Sequence, residues 1–377
     1  MFCESCVYEI KKLLKRGDFD GVMRLLRCEG ERRHSSQCIY QGVTDPAPKM
    51  SPVGMAVSAG NMEVVRALIS SGFDPNECCS VDNFLKRPVH VAICAERVDI
   101  VKSLVHDYGV KLNDEGEGSA LFWAIVSGSL ELVAYLYDRT DDPSLEQAIF
   151  TAVEFNKPSI CSYILSRGVD LELRCPKDLT PLAYAISLGN TDIVKILINA
   201  GSEVEGVFPR GNSMIHLGVM SGQLDIVKYL CRMGVDVNKQ NKYSNTPLHL
   251  AALCGLYDIA YYLVVDMNAC LTKVEVDRKT PFATSLSLRH TDIAHLILAA
   301  GYFPTQEEFS SVLDDKDLSK SLKVVVTNPR SLKECAVFAV KRHFGRDLFD
   351  KWDQLTLPRP VKAFFKLSHI SQPRDVH

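Results

Sequence analysis

Four segments of this chain copy one another on a step of 33 or 34 residues. TPLAYAISLGNTDIVKILINAG begins at Thr180, SMIHLGVMSGQLDIVKYLCRMG at Ser213 and TPLHLAALCGLYDIAYYLVVDM at Thr246. A fourth copy, TPFATSLSLRHTDIAHLILAAG, opens at Thr280, one residue later than the period. Gly189, Gly222 and Gly255 keep the step, and so do Asp192, Asp225 and Asp258. More divergent copies open at Ser51-Pro52, Arg87-Pro88, Ser119-Ala120 and Gln147-Ala148. The last follows after only 28 residues, so the connection before it is shortened. Near the start, LLKRGDFDGVMRLLRCEG is a partial copy with Gly17 in the place of Gly189. A period in this range restricts a chain to a stack of small supersecondary units.

Each conserved feature of the period has a physical use. Thr or Ser at the opening position caps a first helix by accepting a backbone N–H, and Pro after it has no N–H to lose. Leu182, Ala185 and Ile186 then fall on one helical face. Gly189 permits a tight turn into a second helix, where Ile193, Val194, Ile196 and Leu197 form the other apolar layer. Gly201 ends that helix as a C-terminal cap. One such pair cannot bury both faces alone, so neighbours must stack.

These residues resemble the ankyrin repeat, whose pattern is T-P-L-H-x-A on a period near 33. Thr246 to Ala252, reading TPLHLAA, carries the pattern in full. The resemblance implies an all-α ankyrin-repeat solenoid of helix pairs with hairpin connections. Eight repeats are expected over 51–301, behind an N-terminal cap with a partial repeat over 1–50, with capping helices or a linker over 302–327. His90, His216 and His249 occupy the fourth position of their repeats, about one layer apart. The resemblance gives them a turn-stabilising hydrogen bond rather than a metal. Asp192, Asp225 and Asp258 read as helix-start residues favoured by the helix dipole. No phosphate loop, H-E-x-x-H, G-x-S-x-G or EF-hand pattern occurs, so neither a catalytic site nor a cofactor is expected. Leu68 to Asn76 reads L-x5-D-P-N and Leu230 to Asn238 reads L-x5-D-V-N. Asn76 and Asn238 therefore resemble hairpin substrates of an asparaginyl hydroxylase, or simply shape the turn.

Charge separates the chain into two parts. Residues 319–377 carry 12 Lys+Arg against 5 Asp+Glu, whereas the first 318 residues carry 31 against 41. A formal net charge of -3 over 377 residues does not fit a general nucleic-acid binder. No secretory leader and no run of about 18 apolar residues is read, so no membrane span is expected. The 13 cysteines are irregularly spaced, and Cys3 and Cys6 form the one C-x-x-C pair. That usage reads as reduced thiols in a cytoplasmic protein, or one that is also nuclear.

The basic C-terminal part starts a different pattern after Asn328-Pro329. Thr305 with Glu308 makes a capping-box start before it. Leu332, Ala336, Val340 and Phe344 then recur every four residues on one stripe, and LTLPRPVKAFF follows at Leu355. This arrangement resembles the SOCS box, expected over 328–370 with a tail over 371–377. An ankyrin array followed by such a box resembles the ankyrin-repeat and SOCS-box family, whose members are substrate receptors of cullin-RING ubiquitin ligases. The resemblance assigns Leu332, Ala336 and Val340 to docking on elongin C in the elongin B/C pair. It assigns Leu355, Leu357, Pro358 and Val361 to selecting cullin-5 with its RING protein. Ala336 stands where the family has cysteine, Cys335 falls one residue early, and Thr356 replaces the first proline of the cullin segment. An unknown client protein would then lie on hairpin tips, with Phe84, Lys86, Phe208, Arg210, Lys242 and Tyr243 as candidate contacts. The alternative is an ankyrin scaffold or inhibitor whose tail is only a cap.

Overall fold

A computed structural model describes residues 4–31, 50–77, 79–81, 84–112, 118–139, 144–302, 304–305 and 308. They divide into two compact units between Cys175 and Pro176, a boundary inside the 51–301 array rather than at either of its ends. In the first unit, α1 (Glu4–Arg16) and α2 (Phe19–Glu31) form a helix pair at the partial copy. They are followed by α3 (Pro52–Ala59) with α4 (Met62–Ser70), and α5 (Pro88–Cys94) with α6 (Val98–Tyr108). Next come α7 (Ala120–Ser127) with α8 (Leu130–Tyr137), and α9 (Ser144–Glu154) with α10 (Pro158–Ser166). The second unit holds α11 (Pro181–Leu188) with α12 (Thr191–Asn199), and α13 (Met214–Met220) with α14 (Leu224–Arg232). It continues with α15 (Pro247–Cys254) and α16 (Tyr257–Tyr261), then α17 (Pro281–Ser287) and α18 (Thr291–Ala299).

The opening residues cap as expected. Ser51 Oγ accepts the Gly54 N–H at 3.1 Å, Thr180 Oγ1 that of Ala183 at 3.3 Å, and Thr280 Oγ1 that of Ala283 at 3.1 Å. Within each unit the first helices pack one on the next, α1 through α9 and α11 through α17, forming one layer. Pro181 to Ile186 of α11 are all buried, with α13 packed beside them and α12 behind. The second helices are one-sided. Ile193, Val194 and Leu197 of α12 are buried, while Ile196 stays half-buried at the edge of the stripe. Burying one Leu of this kind contributes about 1.5–3 kcal/mol, so each interface rests on a handful of side chains.

The 34-residue step has a local cause. The second helix of that repeat passes from α16 into a π turn, Tyr262–Asp266, which accommodates the additional residue. Asn268, with φ 54°, then takes the left-handed closing position that Gly234 holds one register earlier. Two three-residue strands, β1 (Cys79–Val81) and β2 (Phe84–Lys86), make an antiparallel hairpin in the connection between α4 and α5, in keeping with the expected hairpin connections. At the other end, the Thr305–Glu308 capping box is formed. Thr305 N–H donates to Glu308 Oε2 at 2.8 Å, and Glu308 N–H to Thr305 Oγ1 at 3.3 Å. Glu308 also accepts from the Tyr302 hydroxyl at 2.8 Å and from Thr280 Oγ1 at 2.5 Å, tying the cap to the last helix pair.

In the eight repeats that open between Ser51 and Thr280, the turn between the paired helices uses left-handed backbone at the ninth residue after the opening position. Gly189 is one example, at φ 78°, with its N–H given to the carbonyls of Ala185 and Ile186. Glu96, Asn156 and Arg289 occupy the same position at φ 53°, 50° and 62°. A side chain with Cβ costs about 1–2 kcal/mol there, against about 0.4–1 kcal/mol for the extra freedom glycine gives the unfolded chain. Glu96→Gly and Arg289→Gly are therefore expected to stabilise by roughly 0.5–1 kcal/mol each, read as a higher urea midpoint. Asn156→Gly should gain less, since asparagine tolerates this conformation.

Candidate protein-binding face

The hairpin tips of the second unit are held by the first helices behind them. Thr246 N–H donates to His249 Nδ1 at 3.1 Å, which makes Nδ1 the acceptor and leaves Nε2–H to donate to the Lys279 carbonyl at 3.2 Å. Ser213 and His216 repeat the arrangement, with His216 Nε2 reaching the Asn245 carbonyl at 2.9 Å. Each histidine thus ties its helix start to the hairpin of the next repeat. Burial lowers the His249 pKa to about 4 against the bonds to the Lys279 and Lys273 backbone, and burial also lowers that of His216. Both rings are neutral and fully engaged in turns.

Successive tips then meet backbone to backbone. Lys242 N–H donates to the Arg210 carbonyl at 3.0 Å and Val276 N–H to that of Tyr243 at 3.1 Å. Asn241 Nδ2 donates to Asn212 Oδ1 at 2.9 Å. Gly211 makes the approach possible, because a Cβ there would stand 2.8 Å from the Lys242 backbone nitrogen. Arg210, Lys242 and Tyr243 are exposed along this edge, with Val207, Val274 and Val276 beside them.

A second feature lies at the C-terminal ends of the first helices. Leu188 and Leu288, at the last position before the turn residue, and Met220 and Leu253, one residue earlier, are 43–50% exposed. Their helices α11, α13, α15 and α17 pack consecutively, so these four side chains form an apolar stripe crossing all four repeats. None of the four helices contains Asp, Glu, Lys or Arg. This face is uncharged and apolar, edged by the mixed charge of the tips, and it can hold the apolar side of another polypeptide.

Two expected tip contacts are corrected. Phe208 is only 4% exposed, packed beneath the turn Pro209–Gly211, and Lys86 is 8% exposed, with its ammonium over the Trp123 ring. Phe84 lies on β2, and its side chain is outside the described residues. Asn76 Oδ1 accepts the Lys111 N–H at 3.0 Å and Asn238 Oδ1 the Cys270 N–H at 2.7 Å, so both amides join adjacent repeats. Asp192, Asp225 and Asp258 sit in the first turns of α12, α14 and α16. Leu332, Ala336, Val340, Leu355, Leu357, Pro358 and Val361 all lie outside the described residues. The stripe was missed because each repeat shows only one such residue. Its signal is an apolar residue recurring just before the turn, where helix periodicity turns outward.

A family model of ankyrin repeats in three copies matches residues 12–115, 53–147 and 149–241, and a single-repeat ankyrin model matches 243–274. The chain belongs to the ankyrin-repeat family. A Danio rerio protein named as palmitoyltransferase ZDHHC13 is 28% identical over 137 residues, covering 34% of this chain and 21% of its own length. Alpha-latrocrustotoxin-Lt1a of Latrodectus tredecimguttatus is 28% identical over 161 residues, covering 37% of this chain and 11% of its own. The chain thus matches only a minor part of either relative. Among the described residues, no helix is long and apolar enough to cross a membrane. Ankyrin repeats are protein-interaction modules, and the exposed stripe and tips are suited to that role.

The histidines set a pH dependence. The folded-state pKa of His249 lies near 4, below its ordinary 6.5, so between those values the unfolded chain takes up a proton that the folded chain refuses. The stabilisation is complete above pH 6.5 and falls as pH drops toward 4, by at most ~1.4 kcal/mol per pH unit for one histidine. His249→Gln is expected to be less stable at pH 7 and to lose stability less steeply through that window. Urea titrations at half-unit pH steps measure it.

Proposed function

We infer that this chain is a substrate-recognition subunit of an elongin B/C–cullin-5 RING ubiquitin ligase, a binding protein rather than an enzyme. One observation carries the reading: an ankyrin array is followed, in order, by the Leu332–Val340 stripe and the Leu355-Thr356-Leu357-Pro358 segment. The uncharged stripe on α11, α13, α15 and α17 supports the client half of it. The ligase half rests on the resemblance of the C-terminal residues to a SOCS box. On this reading the chain works in the cytoplasm, or in both cytoplasm and nucleus, and forms no covalent intermediate. It speeds ubiquitin transfer by holding client lysines at high effective concentration near the ligase.

Co-expression with elongin B and elongin C, followed by size exclusion, tests the ligase half. A stable complex is expected. Leu332→Ala should weaken it roughly 10- to 150-fold, the affinity equivalent of losing about 1.5–3 kcal/mol of buried leucine. Leu357→Ala with Pro358→Ala should keep the elongins and lose cullin-5. Met220→Glu with Leu253→Glu, both exposed, should keep both partners while abolishing the chain's effect on client ubiquitination in cells. A well-folded chain that captures no elongin would mean that Ala336 has broken the docking helix. The chain would then be an ankyrin scaffold with a capping tail.

A further inference from the structure

The four first helices of the second unit make a floor of definite width. α11 and α15 have eight residues and α13 and α17 have seven, which is about 10–12 Å at 1.5 Å per residue. An α-helix with its side chains is about 10–12 Å across, whereas strands in a sheet lie about 5 Å apart. One helix therefore covers this floor and one strand does not. Near one border stand Leu188, Met220, Leu253 and Leu288. At the other, the hairpin tips place Lys177, Arg210, Lys242 and Arg278, one exposed cation per repeat. Lys177 leans over the floor, its Nζ 5.2 Å from the centre of the Tyr184 ring of α11. Asp178 and Asp277 adjoin two of these cations in sequence, yet none of the four makes an ion pair among the described residues.

The chemistry of the floor selects the same occupant. Ser187, Ser221 and Ser287 donate their hydroxyls to the carbonyls of Tyr184, Gly218 and Thr284 in their own helices, at 2.8, 2.8 and 2.9 Å. They have no proton left for a partner's backbone. An extended segment would set unpaired N–H and C=O groups against the four apolar side chains, whereas a helix pairs its own. Charge narrows the choice further, because the tip cations attract acidic side chains and repel basic ones. This chain's own residues 319–377, with 12 Lys+Arg against 5 Asp+Glu, are thus the wrong occupant.

We propose that this floor receives an acidic amphipathic α-helix of another protein. Its apolar residues, at i, i+3, i+4 and i+7, lie on the Leu188–Leu288 row. Its carboxylates lie on the flank toward Lys177, Arg210, Lys242 and Arg278. The proposal rests on the client half of the proposed function, whose chemical class it names, and is independent of the ligase half.

The test pans the full-length chain against a displayed library of random 16-residue peptides, with the Met220→Glu, Leu253→Glu chain as counter-selection. Enriched peptides are expected to carry apolar residues at helical spacing and a net negative charge. A synthetic copy of one should bind ~100-fold more weakly with proline at its centre, since proline breaks a helix and not an extended chain. Arg210→Glu with Lys242→Glu should weaken the same peptide roughly 10-fold. Peptides patterned at every second residue, peptides of net positive charge, or no enrichment by the folded chain overturn the proposal. So does binding unchanged in a folded Met220→Glu, Leu253→Glu chain. The pattern of the enriched peptides decides the matter whether or not the variants fold. Elongins take no part in the assay, so a failure of the ligase half shows separately, in the co-expression experiment.

Discussion

Helices of 5–13 residues do not persist alone in water, because nucleation costs more than so few hydrogen bonds return. Every α-helix among the described residues is of that length, so each depends on being covered by its neighbours. That dependence explains why the first helices of the second unit are uncharged and largely buried, and why the second helices are apolar on one side only. It also explains the histidine bonds. A first helix starts inside the stack, where its backbone donors find no water. Thr246, Ser213 and their histidines satisfy those donors and, through the far ring nitrogen, fix the adjacent hairpin.

Variation is confined by the same constraint to positions that stacking does not use. Those positions are the tips and the last residue or two of each first helix. An apolar residue at such a helix end contributes nothing to the repeat that carries it. Leu188, Met220, Leu253 and Leu288 make sense together, since consecutive packing of their helices places four exposed apolar side chains at neighbouring helix ends. Lys86 shows the opposite case. Its charge suggested a solvent contact, yet its long stem reaches inward, where Trp123 covers it.

Much of the architecture was legible in the residues. The caps at Ser51, Thr180 and Thr280, the turn at Gly189 and the Thr305–Glu308 box all rest on bonds between residues close in sequence. The site was less legible for a related reason. Whether Phe208 faces solvent is settled by the geometry of its own turn and the repeats around it. Whether Asn238 is a free surface amide is settled by Cys270, 32 residues away. The π turn was foreshadowed only as a 34-residue step, with nothing local to say which turn would take the extra residue.

By itself the sequence determined the repeat, its register, the capped starts, the left-handed turns and the apolar faces of the helix pairs. These follow from side-chain periodicity and from interactions spanning fewer than about ten residues. Tertiary structure alone decided which of the non-stacking residues share a surface. It assembled the Leu188–Leu288 stripe, buried Phe208 and Lys86, and set Lys86 against Trp123. Those outcomes depend on the distance between neighbouring repeats, which is set by how their cores interlock and is written in no single repeat.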